Sequence, residues 1–302
     1  VLRRGRSVRR RPVDSVAGGP VGSIRIMTDT PRITVNIEGG VADVRLNRPE
    51  KMNALDPAMF SALVETADQL AADPSVRCVV LSGEGRSFCA GLDFSSFQGM
   101  AGDGEESGET NREIRDITAA DPGRITHRGQ QAVFGWTEMP VPVIAAVNGH
   151  ALGGGIQLAL GADIRIVSPE AQMSVLESRW GLIPDMTGTQ SLINLVGLDV
   201  AKELTFTGRM VSGSEAAELG LATHVSDDPQ ALAMELAHEI ASKSPDAIRA
   251  AKRLFNEAPK VDTATGFAAE RAEIGKLIGS PNQVESVMAF FEKRKPDFAD
   301  PS

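Results

Sequence analysis

The chain is predicted to be α/β, with a core of alternating strands and helices followed by a purely helical C-terminal section. Three observations predict this. Apolar runs of strand length, Val76–Leu81 and Pro142–Val147, are separated from one another and from a first hairpin by helix-length segments. The stretch His150-Ala151-Leu152-Gly153-Gly154-Gly155-Ile156-Gln157 reads as a buried strand end, a glycine turn and an apolar helix start. From Pro229 onward the pattern changes to successive helices with capping residues and prolines at their starts.

The elements follow in order. Ile33–Ile37 and Val41–Leu46 alternate as half-buried strands around the Gly39-Gly40 turn. Asp56-Pro57 opens a helix, a capping carboxylate followed by proline, whose apolar stripe is Met59, Phe60, Leu63, Ala67 and Leu70. Asp73-Pro74 ends it, and Val76–Leu81 reads as a buried strand. Met100–Ala120 is acidic, glycine-rich and poor in large apolar residues, so it reads as a mobile surface insertion. Asp163–Val167 is a short strand. Gln190–Leu195 and the segment capped by Ser212 are helices. The end of the chain holds four more, at 231–242, 245–258, 265–278 and 281–294. Three regions are therefore expected: a basic extension over 1–26, an α/β core over 27–228 and a helical region over 229–302.

Residues 1–11 carry six arginines and no acid, although the whole chain has a net charge of −9. This start lacks the apolar segment of a secretory signal and reads as disordered, with a transit peptide or a nucleic-acid arm as alternatives. The acidic remainder argues against nucleic acid as the main partner. No apolar run approaches the ~20 residues of a membrane span. Two cysteines, Cys78 and Cys89, and four histidines without ligand spacing suggest neither a disulfide framework nor a metal site, so a reduced, cytoplasmic setting is expected.

The glycine turn carries the chemistry. Backbone N–H groups at the start of a helix have no intrahelical acceptor and favour an anion, or an oxygen becoming one. A second loop, Phe88-Cys89-Ala90-Gly91-Leu92-Asp93, could supply a matching donor. Gln157, two residues past the glycines, is a neutral amide and serves as neither acid nor base. Glu177 is the nearby carboxylate; an ion pair with Arg179 or Arg165 is its alternative role. Asp163 reads as structural, and His150 as packing or as a group behind the site, because no nearby serine or cysteine partner for a dyad is evident in sequence.

In order, the stretches Arg48–Leu55, Phe88–Asp93, Pro142–Gln157, Ala162–Arg165, Glu177–Pro184 and Phe291–Lys295 resemble the crotonase (enoyl-CoA hydratase/isomerase) superfamily over about residues 28–298. The resemblance implies a crotonase-like spiral of ββα units with a C-terminal helical trimerisation region, assembled as a homotrimer or a dimer of trimers. It implies an acyl-CoA thioester substrate, coenzyme A being part of the substrate rather than a cofactor. The thioester oxygen would be held by the N–H groups of Leu92 and Gly154. Met52, Ala54, Ala90 and Asp93 would line the CoA groove, Gln157 would touch the acyl group, and Lys293 would reach the CoA of a neighbouring subunit.

Relatives that hydrate a double bond use two glutamates, at the positions of Gln157 and Glu177. With glutamine at the first, water addition by a pair of glutamates is not expected. Asp185 falls eight residues after Glu177, as an aspartate does in the dienoyl-CoA isomerase branch, where the aspartate acts at C2 and the glutamate at the far carbon of the diene. The chain departs from that branch at Gln157 and Pro184. The expectation is double-bond isomerisation by Glu177 and Asp185. The alternatives are an enoyl-CoA hydratase using Asp185, and a weakly catalytic acyl-CoA-binding protein. Phe134, Trp136 and Trp180 are candidates for the acyl pocket or the core.

Overall fold

The computed structural model describes residues 31–93 and 121–301. The expectations for the basic extension and for the acidic insertion lie outside these residues. Strands β1 (Ile33–Glu38) and β2 (Val41–Leu46) form the expected hairpin, with Ile33 opposite Leu46. Helix α1 (Pro57–Ala72) is capped by the Asp56 carboxylate, which accepts the Met59 N–H at 2.8 Å. Its predicted stripe, Met59, Phe60, Leu63, Ala67 and Leu70, is the face it buries.

The next strands are β3 (Cys78–Gly83), β4 (Val143–Val147), β5 (His150–Leu152), β6 (Ile164–Val167), β7 (Gln172–Ser174), β8 (Val211–Ser212) and β9 (His224–Val225). They make a six-stranded sheet in the order β1-β2-β3-β4-β6-β9 and a three-stranded sheet in the order β5-β7-β8. Only the β1–β2 pairing in the larger sheet is antiparallel. Its central strands β3 and β4 are buried on both faces, which explains why they read as unbroken apolar runs rather than as alternation.

The period-two geometry of those strands divides the core. Val79, Leu81, Val143, Ala145 and Val147 face one side, with α1 and helices α2 (Arg128–Glu138) and α3 (Gly154–Leu160). Cys78, Val80, Ile144 and Ala146 face the other, where Ala233, Ala237 and Ala241 of a later helix cover them. Helix α2 was not expected. Its N-cap is His127, in a reciprocal box with Gln130. Its buried face contains Gln131, whose amide oxygen accepts the Thr126 hydroxyl at 2.5 Å, so the stripe does not read as apolar.

The remaining helices are α4 (Gly188–Val196), α5 (Leu198–Thr207), α6 (Gly213–Leu219), α7 (Pro229–Ala241), α8 (Pro245–Glu257), α9 (Thr263–Leu277) and α10 (Pro281–Glu292). Helix α7 supplies the alanines just named. Helix α8 is tied down by Lys252. Its buried ammonium donates to Asp163 at 2.7 Å and to the Val141 carbonyl at 3.0 Å. Asp163 also accepts the Val143 N–H at 2.7 Å, so its structural role is direct: it joins β4, the start of β6 and α8. Helix α9, in contrast, buries none of its residues within the single chain. Among the described residues no helix is long and apolar enough to cross a membrane.

Candidate active site

Two loops converge where β5 ends. Residues 87–92 run beside 148–152 as a short parallel ladder. Phe88 N–H donates to the Asn148 carbonyl at 2.9 Å, Cys89 N–H to the His150 carbonyl at 2.9 Å, and Leu152 N–H to the Cys89 carbonyl at 3.0 Å. Gly91 closes the approach in a left-handed conformation, φ +85°. A Cβ there would lie 2.5 Å from the Leu152 oxygen and 3.5 Å from the Gly154 nitrogen, so only glycine permits the contact.

The other side of the first loop fixes the direction of its free donor. Leu55 N–H donates to the Gly91 carbonyl at 2.7 Å, and Asp93 N–H donates to the Leu55 carbonyl at 3.0 Å. In such a parallel bridge the N–H of the intervening Leu92 faces away from Leu55. Gly154 is the first residue of α3, and its N–H has no acceptor within the helix. Among the described residues neither of these two N–H groups has an acceptor.

Gly153, with φ +53°, turns the chain from β5 into α3 beside Glu177: a Cβ on it would lie 3.6 Å from Glu177 Oε1. Glu177 opens a short 3-10 turn, Glu177–Trp180, after β7. It is buried. Its Oε1 accepts the Gln157 side-chain amide at 2.5 Å, and its Oε2 is a buried oxygen without a partner. Neither Arg179 nor Arg165 pairs with it. Arg165 instead donates to the Leu221 and Ala162 carbonyls at 2.7 and 2.6 Å. Burial pushes the Glu177 pKa above its usual range; a backbone hydrogen bond and the Gln157 amide oppose this, and the charge of Asp185 adds to it.

Gln157 is fixed by its own valences. Its carbonyl oxygen accepts two backbone N–H groups, from Met186 at 2.8 Å and Gly188 at 3.0 Å. That leaves the NH2 group, and only that group, facing Glu177. Asp185 lies on the same short segment, next to Met186, but is exposed. It lines a cavity of about 760 Å³ with Phe134 of α2, Ile183, Thr187 and Asn194 around α4, and Phe255 near the end of α8. Of the three aromatic candidates, Phe134 lines this cavity, Trp136 is core, and Trp180 is half exposed at the surface.

Met52 holds a left-handed conformation and its carbonyl accepts the Ala90 N–H at 2.9 Å. Ala54 is buried beside it. Asp93 is buried in an ion pair with Arg48 at 2.6 Å, so its carboxylate is committed to the loop. Lys293 is exposed at the C-cap of α10 in a left-handed conformation. Burial pushes the thiols of Cys78 and Cys89 up to about 12, which leaves both as packing groups at neutral pH. Among the described residues no group of three His, Cys, Asp or Glu could hold a metal.

Three features went unseen in sequence. Asn53, fully buried, accepts the Arg48 N–H at 2.8 Å and donates to the Glu84 and Ser87 carbonyls at 3.0 and 2.8 Å. The second is Lys252. The third corrects the reading of His150: it does have a serine partner, Ser87 Oγ lying 2.9 Å from its Nδ1. Ser87 is fully buried, which disqualifies it as a nucleophile but not as a tether.

Comparison with known proteins gives one family. A family model described as enoyl-CoA hydratase/isomerase matches residues 36–301. Human mitochondrial enoyl-CoA hydratase domain-containing protein 2 is 34% identical, covering 94% of this chain and 92% of its own. Mouse mitochondrial methylglutaconyl-CoA hydratase is 33% identical, covering 86% and 79%. Among solved structures, an enoyl-CoA hydratase from Bacillus anthracis is similar with a TM-score of 0.78 and 33% identity, covering 89% of this chain and all of that one.

Proposed function

The chain belongs to the enoyl-CoA hydratase/isomerase family, and from that premise we propose that it shifts the double bonds of an enoyl- or dienoyl-CoA by proton transfer between Asp185 and Glu177. The observation that carries this reading is the state of Gln157. A hydratase pair needs two groups that can exchange protons with one water. Here one of them is an amide whose oxygen is already occupied by Met186 and Gly188.

The two carboxylates left suit an isomerase because their surroundings differ. Burial and the Asp185 charge favour the neutral form of Glu177, while Asp185 is exposed to water. For a 3,5-dienoyl-CoA the steps balance without water. Asp185 takes a proton from C2, and the electron pair moves into a trienolate whose oxygen is held by Leu92 and Gly154 N–H. Glu177 then delivers its proton to C6, giving the 2,4-dienoyl-CoA; exposed Asp185 releases its proton to solvent and Glu177 takes one up, which restores both carboxyls to their starting states. Two backbone donors aimed at that oxygen contribute on the order of 3–4 kcal/mol each.

A hydratase remains the second reading, because two of the similar proteins above, methylglutaconyl-CoA hydratase and the Bacillus anthracis enoyl-CoA hydratase, are hydratases by name and Asp185 could take the role of the absent glutamate. One purified sample separates the two. With a 3,5-dienoyl-CoA, growth of the conjugated thioester absorbance is expected, and it is lost in Asp185→Asn by about 10²-fold or more. With a 2-trans-enoyl-CoA, little loss of that absorbance is expected. Fast hydration that survives Asp185→Asn overturns the isomerase. A protein that binds acyl-CoA but turns over neither substrate would be the weakly catalytic binder.

The same reading includes self-association. A 15-residue helix such as α9 is marginal alone in water. With α10 it exposes Phe267, Ile274, Ile278, Val287, Phe290 and Phe291, a face that suits cover by copies of this chain. Sedimentation velocity is expected to give a trimer or a hexamer, and a monomer at micromolar concentration would refute this part. The two unpaired thiols suit a reducing, cytoplasmic setting.

A further inference from the structure

Ser87 lies where three segments meet. Its carbonyl accepts from Asn53 of the 48–55 loop, its own chain leads into the donor loop that ends at Leu92, and its hydroxyl reaches His150 of β5. The ladder between 87–92 and 148–152 consists of three backbone hydrogen bonds, and β5 is only three residues long. Backbone bonds of this kind hold strand spacing but leave the far ends free to splay. Both donors lie past the C-terminal end of this ladder, Leu92 following one strand and Gly154 the other, and the Ser87–His150 contact ties the two strands upstream of them.

We propose that His150 is a positioning residue for the thioester oxygen. Through Nδ1 it fixes Ser87, and through Ser87 the separation of the Leu92 and Gly154 N–H groups. The inference rests on the reading of those two N–H groups as the thioester donors. The bond is placed to matter. Ser87 is fully buried, so its hydroxyl has no water to turn to if His150 lets go, whereas His150 itself is only partly covered and needs no partner for its own sake. It is also a side-chain to side-chain link between the two strands of the ladder, 63 residues apart in sequence, beside the Asn148 side-chain bond to the Gly85 carbonyl. A shift of the donor loop by a fraction of an ångström would leave acyl-CoA binding largely intact. It would weaken the interaction that grows as charge develops on the oxygen.

The test uses the full chain and trans-cinnamoyl-CoA as probe. Its conjugated thioester absorbs at longer wavelength when its carbonyl is polarised by hydrogen-bond donors. Wild type, Ser87→Ala, His150→Leu and His150→Asn are compared by the absorbance shift of the bound probe and by kcat and KM with a dienoyl-CoA. Asparagine places an amide atom near the position of the imidazole Nδ1 and is the conservative variant. In His150→Leu the red shift is expected to fall by half or more, and kcat by about 10- to 100-fold with KM changed less than about threefold. His150→Asn is expected to recover most of both, and Ser87→Ala to follow His150→Leu. Should His150→Leu fail to fold, judged by its melting curve, Ser87→Ala carries the test alone. A wild-type red shift and kcat in a folded Ser87→Ala or His150→Leu would overturn the inference while leaving the donor reading intact. A wild type that binds the probe with no red shift would instead overturn the donor reading itself.

Discussion

Glu177→Gln is expected to lower turnover of a 3,5-dienoyl-CoA by about 10³-fold while acyl-CoA binding stays within a few-fold of wild type. Glutamine has the shape of the protonated acid and can still face the Gln157 amide with its carbonyl oxygen, but it has no proton to deliver. Steady-state kinetics and calorimetric titration with an unreactive acyl-CoA check the two halves separately. Retained turnover would remove Glu177 from the chemistry.

The same residue sets a pH dependence of rate and of stability. The folded-state pKa of Glu177 is raised above the ordinary 4.5, chiefly by burial. Its active form in this direction is the protonated one, so the rate constant for proton delivery is expected to fall as pH rises through that raised value. Were Glu177 instead the base of a hydration, the rate would rise over the same interval. Stability follows from the same shift. A carboxylate with a raised pKa costs nothing below its ordinary value, destabilises the fold increasingly as pH climbs from there to the raised one, and costs a constant amount above it. Glu177→Gln should therefore match wild type in melting temperature near pH 4 and exceed it, by roughly 2 °C or more, at pH 8. This is the usual cost of a buried reactive group.

Much of this site could be read in the sequence, and the part that could not has a common cause. The α1 stripe, the apolar strands and the glycine turn obey local periodicities and conformational needs, so Met59 to Leu70, Val143 to Val147 and Gly153 were legible. The resemblance points to Leu92 and Gly154, but the convergence of their loops depends on a parallel ladder between segments some 60 residues apart. Nothing in either segment declares its partner. Helix α2 was missed because its cap is a histidine and its buried face carries a glutamine satisfied by Thr126. Lys252 was hidden for the opposite reason: a lysine in an amphipathic helix reads as solvated, and only the fold surrounds it with two carbonyls and Asp163. Ser87–His150 joins the same class. Polar groups buried by tertiary structure carry no local signature, because what satisfies them is distant in sequence.

Gln157→Glu is the substitution with the largest expected gain. In the present site the amide oxygen is saturated by Met186 and Gly188, and the NH2 group meets Glu177 at 2.5 Å. A glutamate there could keep one oxygen on the two backbone N–H groups. Its other oxygen would then face Glu177 at a distance where two carboxylates cannot both be ionised, so the pair must hold one proton between them. That is the state in which one member can take a proton from water while the other gives one to carbon. Hydration of a 2-trans-enoyl-CoA is expected to rise at least tenfold over wild type, with dienoyl isomerisation falling, because Glu177 no longer holds its proton alone. Loss of the thioester absorbance measures the first and its growth with the diene measures the second. If hydration does not rise in a folded variant, the neutrality of Gln157 is not what withholds water addition. If wild type already hydrates as fast as the variant, Asp185 is doing what the missing glutamate would have done, and the choice between the two chemistries passes from Gln157 to Asp185.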